Sequence, residues 1–427
     1  MRMTVLALAL AGLAMPALAD DTGILIVDAA YDGTLVAQRE VLGAACDGGA
    51  AMACFGAGLG ELTGTYEALA QAMYRHGAVV PGNSAAAMIF GMDLPADAQP
   101  ANPDPAPLSY DGLRAIFADT VAGLDRARAR FETAGASGED VLLLDPARIR
   151  LDIDGDGTLG EAETLAPLVA QFAALFAEQL AAAPASGKSK SKAGASAGEA
   201  AGIGFDRADA LWLAGYSQVV ATPLDFLLAH DFSGFYDAYL HRVFPRAGLP
   251  MQDYNQGGEL FFDAESDAGL ADMIAAIHML RFPVTDHARL AGVGDRLKSI
   301  TDLSRRNWAA ILAETDDDRE LLPSPDQTSL VPGLEVTSEI VDAWAATLDT
   351  LDLILDGKLL VPHWRFKQGF DIHAYLTEAT TTDLVMLLAG QAALPFLKDG
   401  PIADADSFAA GNRVLGPQWP QYLFWFN

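Results

Sequence analysis

The chain has 427 residues, 51% of them hydrophobic, and carries 57 acidic against 27 basic side chains, a formal charge of −30. A charge of that sign and size repels nucleic acid and anionic lipid, which excludes the polyanion-binding classes. The apolar fraction is large enough to build real cores, and the length allows two or three domains.

Residues 1–19 read as a secretory signal peptide. Arg2 supplies the positive start, Val5 to Leu13 form an apolar stretch too short to span a bilayer, and Ala17-Leu18-Ala19 is a small-x-small cleavage site. The mature chain is expected to begin at Asp20, one unit more negative for the loss of Arg2. No cysteine follows the cut to carry a lipid, so a periplasmic or secreted location is expected. Cys46 and Cys54 are the only cysteines. Export predicts that they form a disulfide, worth on the order of 2–3 kcal/mol on the chain-entropy model. A Cys-x-x-Cys redox motif and a zinc-type Cys/His array are both absent from the sequence.

The segment Cys46-Asp-Gly-Gly-Ala-Ala-Met-Ala-Cys54-Phe resembles the Sel1-like, TPR-related repeats of bacterial cysteine-rich secreted proteins. In those repeats two cysteines with this separation bridge a helical hairpin. The likeness covers about thirty residues and one partial repeat, and it implies a hairpin rather than an activity.

The rest of the region 20–138 reads as helical. Helices are predicted around Tyr66–His76 and Tyr110–Phe131, on either side of a proline-rich break at Pro95–Pro107.

Within the next segment, 139–183, lies the most informative stretch of the chain. Residues 152–163 read Asp-Ile-Asp-Gly-Asp-Gly-Thr-Leu-Gly-Glu-Ala-Glu, a twelve-residue calcium loop of the EF-hand type. Asp152, Asp154 and Asp156 fill positions 1, 3 and 5, and Gly157 fills position 6, where the backbone turns sharply. Thr158 at position 7 offers its carbonyl, Gly160 at position 9 leaves room for a water, and Glu163 at position 12 binds through both oxygens. Leu159 is the apolar anchor. Calcium takes about six to eight oxygens, and four carboxylates this close repel one another without a cation.

On the far side of the loop, Leu165, Leu168, Val169, Phe172, Leu175, Phe176 and Leu180 follow helical spacing. On the near side a helix can start only at about Pro146, so a short leading helix and a strong following one are predicted. No second loop of this pattern occurs in the chain, which predicts a solitary site supported by the rest of the fold.

Residues 184–204 read as a flexible linker rich in Lys, Ser, Gly and Ala. Gly187-Lys188-Ser189 mimics the end of a phosphate loop, but Ala182 stands where the first glycine is required.

From 205 to 427 a C-terminal helical domain is predicted. Asp206 is read as an N-cap, and Pro223 as the end or kink of the helix that follows. Two amphipathic stripes come next, Leu270–Leu280 and Ile340–Leu355, the second stopped by Gly357. Leu384–Leu397, fourteen nearly all-apolar residues, suits a buried helix and is too short for a membrane span. The cluster Glu314, Asp316, Asp317, Asp318 and Glu320 lacks a turn glycine and reads as a solvated helix end. The terminal Tyr422-Leu-Phe-Trp-Phe426-Asn427 reads as a tail docked on the core rather than a barrel strand.

A search for catalytic constellations finds neither a Gly-x-Ser-x-Gly elbow nor a His-Glu-x-x-His. The histidines read as ordinary core or surface residues. Two arginine–tryptophan clusters stand out, Arg305-Arg306-Asn307-Trp308 and Pro362-His363-Trp364-Arg365-Phe366. Their arginines either pair internally with carboxylates or meet to line a pocket for an anionic or planar ligand. With the Trp425-Phe-Asn427 end, they make residues 302–427 resemble the C-terminal part of uncharacterised bacterial secreted proteins carrying an EF-hand. That resemblance implies calcium binding and no assigned activity.

The expectation is therefore a mainly α, exported calcium-binding protein with a structural ion held by Asp152, Asp154, Asp156, Thr158 and Glu163. It should have no membrane span and no nucleic-acid partner. The rival expectations are a periplasmic hydrolase using His363 and Arg365, and a helical-repeat module for a protein partner.

Overall fold

The computed structural model describes residues 18–79, 102–138, 140–167, 169–170, 202–249, 269–315, 317, 319–330 and 336–414. Among them the protein is mainly α, as its periodicity requires, with short strand pairs between helices. Outside the described residues lie the apolar stretch of the signal peptide, most of the helix expected after the loop, the body of the linker and the terminal aromatic tail.

The N-terminal part contains α1 (Leu18–Tyr31), α2 (Arg39–Asp47), α3 (Ala51–Arg75) and α4 (Tyr110–Gly135). Cys46 at the end of α2 is bonded to Cys54 in the first turn of α3, which ties these two helices into a hairpin. Ser109 caps α4 by accepting from the Gly112 N–H at 3.1 Å, satisfying one of the orphan donors of a helix start. Two glycines let α3 and α4 approach closely. A Cβ on Gly58 would stand 2.6 Å from the Phe131 ring, and one on Gly123 would stand 2.1 Å from Thr65 Oγ1.

After β1 (Leu142–Leu144) and the loop segment come β2 (Ile203–Phe205) and α5 (Arg207–Leu228). β1 and β2 are antiparallel, with Leu142 opposite Phe205. Ile203 and Gly204, read as the end of a linker, are therefore strand residues. Asp206 caps α5 as expected. It accepts from the N–H groups of Ala208 and Asp209, while its own N–H donates to Asp209. Pro223 does not end this helix, which runs on to Leu228. The bond lost to its missing N–H is outweighed because Ala221 and Leu228 on either side are buried with Val121 and Leu124 of α4.

Next follow α6 (Ser233–Tyr239), α7 (Gly269–His278), β3 (Arg281–Pro283), α8 (His287–Ile311) and α9 (Ser338–Leu355). The Gly357 stop is in place, with φ 68°. Beyond it, β4 (Val361–Pro362), β5 (Gly369–Phe370) and β7 (Leu397–Lys398) form a small sheet. α10 (Ile372–Glu378), β6 (Thr381–Asp383) and α11 (Leu384–Ala389) lie between β5 and β7, and α12 (Ala409–Val414) closes the described chain. β3 pairs with β6.

Leu384–Leu397 is not one buried helix. Gly390 adopts a left-handed φ of 99° and caps α11 after six residues, and Leu388 is 74% exposed. No helix among the described residues is long and apolar enough to cross a membrane.

α4 packs against both α3 and α5, and α5 packs in turn against α8. The largest core gathers Ile26, Leu42, Phe55, Phe131, Leu144, Phe205, Trp308 and Trp344, so it draws on both sides of the loop segment. Smaller clusters form around Leu290, Tyr375 and Phe396, and around Leu113, Phe232 and Phe282.

Candidate metal centre

The loop is held at both ends by backbone pairing. The segment leading into it makes one 3₁₀ turn, Pro146–Arg148, with Asp145 as its cap, in place of the short helix expected from Pro146. An antiparallel bridge then joins Arg150 to Thr164 across the loop. Leu151 N donates to the Glu163 carbonyl at 3.1 Å, and Leu165 N to the Ile149 carbonyl at 2.9 Å. Val169 N reaches back to the Leu165 carbonyl at 2.9 Å, an i→i−4 bond at the start of the predicted following helix. The rest of that stripe, from 171 on, lies outside the described residues.

Inside the loop, Asp152, Asp154 and Asp156 come together. One carboxylate oxygen from each lies within 4.8 Å of the others. Gly155 and Gly157, at φ 77° and 80°, take the left-handed turns that a side chain resists. These turns aim the N–H groups of Gly155 and Gly157 at the Asp152 carboxylate, at 2.8 and 3.1 Å. Asp156 N donates to Asp154, and Thr158 donates to Asp156 through both its N–H and its hydroxyl. The two bonds from Thr158 hold the Asp156 carboxyl below the usual carboxylate range. Glu163 lies across the loop. Its two oxygens accept from Ile153 N at 2.8 Å and Gly160 N at 2.6 Å, which sets its carboxylate apart from the triad.

Three supports escaped the sequence reading. Glu67 on α3 accepts from Asp152 N at 3.1 Å, and Gln71, one turn on, donates to the Asp152 carbonyl at 2.8 Å. Arg150 donates to the carbonyls of Leu159 and Gly160. Glu67 and Gln71 stand at i and i+4, so one face of α3 grips Asp152. No local signal marks them, because they lie 85 and 81 residues from Asp152. Burial raises the Glu67 carboxyl above its ordinary value, and the neighbouring Asp152 and Glu163 add to the rise. Leu159 packs on the turn after α1, so close to Gly33 that a Cβ there would meet it at 2.3 Å. Beside this face, a groove of about 490 Å³ opens between α3 and α4, bordered by Arg39, Glu67, Gln71, Arg75, Asp119 and Arg126.

The arginine–tryptophan clusters find partners elsewhere in the fold. Arg305 pairs with Asp349 and Asp352 of α9 at 2.9 and 2.8 Å, and Arg306 with Glu132 of α4 at 2.8 Å. Trp308 is buried in the main core. His363 Nε2 bonds the Leu387 carbonyl at 3.0 Å and Trp364 Nε1 donates to the Leu388 carbonyl at 2.8 Å, both at the end of α11. Arg365 lies 4.6 Å over the indole of Trp364, which is itself 74% exposed.

The acidic cluster after α8 departs from expectation. Asp317 is exposed, whereas Glu320 is buried and so is Glu314 Oε1. Both turn toward Asp206 and Asp209 at the start of α5, around a cavity of about 20 Å³. Burial drives Glu314 and Asp209 well above the usual carboxylate range, and the charge of Asp206 pushes both further. The alternation of acids along 314–320 hides this, because their partners arrive from α5, about a hundred residues earlier in the chain.

No family model matches this chain, and no match is found among the curated proteins or the solved structures.

Proposed function

We propose that this is an exported calcium-binding protein in which residues 152–163 hold one structural calcium ion in a loop of the EF-hand type. The observation that carries the reading is the gathering of the Asp152, Asp154 and Asp156 carboxylates within 4.8 Å of one another on two left-handed glycines. Oxygen-only donors at this spacing suit a hard cation. Asp152, Asp154, Asp156 and Glu163 would hold the ion through carboxylates and Thr158 through its carbonyl. Calcium would supply the positive charge that three gathered carboxylates, with Glu163 across the loop, need. Export is supported by the signal-peptide pattern of residues 1–19 and by the Cys46–Cys54 disulfide, a bond that persists in oxidising compartments.

A structural role is favoured because the loop is tied directly to the fold. Asp152 is gripped by Glu67 and Gln71, and Arg150 N donates to the Ala30 carbonyl at the end of α1. Arg305 and Arg306, which could have joined His363 and Arg365 in a pocket on the rival hydrolase reading, are taken up by ion pairs.

Thermal unfolding in EDTA and then in a calcium series, repeated with magnesium, tests the proposal. A dissociation constant in the roughly 10⁻⁴–10⁻³ M range of extracellular modules is expected. At a hundred-fold excess over that constant the ion adds about 2.7 kcal/mol. Asp152→Ala and Glu163→Gln should each abolish the calcium-dependent rise in melting temperature. If Glu163→Gln retains the parent's full rise, Glu163 is not a ligand.

A further inference from the structure

The start of α5 and the chain beyond α8 meet through acids. Asp206 and Asp209 of α5, with Glu314 and Glu320, line one cavity of about 20 Å³, and among the described residues no lysine, arginine or histidine lines it. On the third side stands Asn307 of α8, neutral, 1% exposed and without a partner for its amide. Arg319, next to Glu320 in the chain, donates its Nε–H to the Gly202 carbonyl instead.

The hydrogen bonds decide which oxygens can share a proton. Asp206 Oδ1 accepts from the N–H groups of Ala208 and Asp209 at 2.7 and 3.3 Å, and Asp209 Oδ2 accepts from Asp206 N at 3.0 Å. Gln327 Nε2 donates to Glu314 Oε2 at 3.1 Å, while no N–H or hydroxyl reaches Glu314 Oε1. The Glu314 carboxyl meets that of Asp206, and two carboxyl groups bond to each other only with a proton between them. Ionising both would set like charges side by side in a buried site that has no counter-charge.

The same acids fasten a segment of chain. Glu320 bridges Ser329, and Leu330 N donates to the Glu320 carbonyl at 2.9 Å, which closes residues 320–330 on themselves. Gly204 N of β2 donates to the Arg319 carbonyl at 3.2 Å. Arg319 has a φ of 70°, the one non-glycine with a positive φ among the described residues. That conformation costs free energy in a long side chain and persists where the surroundings impose it.

We propose that these acids form a proton-closed clasp: at neutral pH Glu314 is uncharged and donates to Asp206, and loss of that proton to solvent in alkali releases residues 319–330 from the start of α5. Burial, and then the charge of Asp206, push Glu314 from 4.5 up to about 9. The folded chain therefore holds a proton that the unfolded chain gives up. The stability this adds is complete below 4.5 and is lost as pH rises through about 9. Buried His230 acts in the opposite sense and below its ordinary 6.5, so the clasp is read above neutrality.

Urea unfolding of the whole chain between about pH 7 and about pH 9 tests this, with Glu314→Gln, an uncharged side chain of the same shape, beside the parent. Each proton lost on unfolding raises the unfolding constant about tenfold per pH unit. The parent should show that tenfold rise over and above the variant. In the infrared at pH 7 the parent should show the carbonyl stretch of neutral carboxyl groups, reduced in the variant. Trypsin at pH 9 should cut after Arg319 several-fold faster in the parent than in the variant, because the released segment opens locally. Equal pH slopes in the two proteins overturn the proposal, and so does equal cutting after Arg319. If the variant does not fold, the parent's infrared band decides alone, and its absence at pH 7 overturns the clasp.

Discussion

His230 shows how completely a polar side chain can be accounted for in this core. It is 0% exposed, with Nδ1 bonded to the Phe226 carbonyl at 2.6 Å and Nε2 to Thr382 Oγ1 at 2.7 Å. Burial lowers its pKa below the ordinary 6.5, and the Phe226 carbonyl recovers part of the loss. Below that value the unfolded chain takes up a proton that the folded ring resists. Stability present at neutral pH is therefore lost as pH falls through about 6.5. Urea midpoints measured across this range should drop on the acid side, and His230→Gln should flatten the drop. A slope identical to the parent's would assign the acid sensitivity to other groups. From the sequence this histidine reads as an ordinary core or surface residue, and it is a core one. Its bond to Thr382, 152 residues away, could not be read locally.

At the scale of elements, the short-range signals were the legible ones. The Asp206 cap, the Gly357 stop and the cysteine pair each depend on neighbours within a few residues, and each stands where expected. The disulfide closes a short hairpin between α2 and α3. Replacing both cysteines by serine should cost about 2–3 kcal/mol on the chain-entropy model. Denaturant unfolding of Cys46→Ser/Cys54→Ser against the parent checks this, and an unchanged midpoint would mean that packing alone sets the hairpin. Elements whose ends depend on distant packing read less well. Pro223 was expected to end or kink its helix, yet burial against α4 carries α5 past it. Leu384–Leu397 has the composition of a buried helix, but Gly390 turns the chain and leaves Leu388 outside.

Across the whole molecule, the loop is fastened to the N-terminal helices rather than to a second loop. Its contacts run to α3 through Glu67 and Gln71, and to the end of α1 through Arg150 and Leu159. If calcium binds as proposed, ordering the loop should spread along these contacts. Amide exchange with and without calcium should slow most in the second half of α3 and around Ala30–Thr34. The amides of α10 and α11 should change little, because they pack on a separate cluster with Leu290 and Phe396. Equal protection of both regions would show that calcium acts through global stability alone.

By itself the sequence determined the helical class, the turn that gathers Asp152, Asp154 and Asp156, and the bonded cysteines, because periodicity, residue spacing and short loop closure are local properties of a chain. Only the tertiary structure decided which helix grips Asp152, that Arg305 and Arg306 are neutralised by α9 and α4, and that Glu314 and Glu320 turn inward to face Asp206, Asp209 and Asn307. Those outcomes depend on pairs tens to more than a hundred residues apart. Burial and pairing at such sites are set by what packs against a residue, not by its neighbours in the chain.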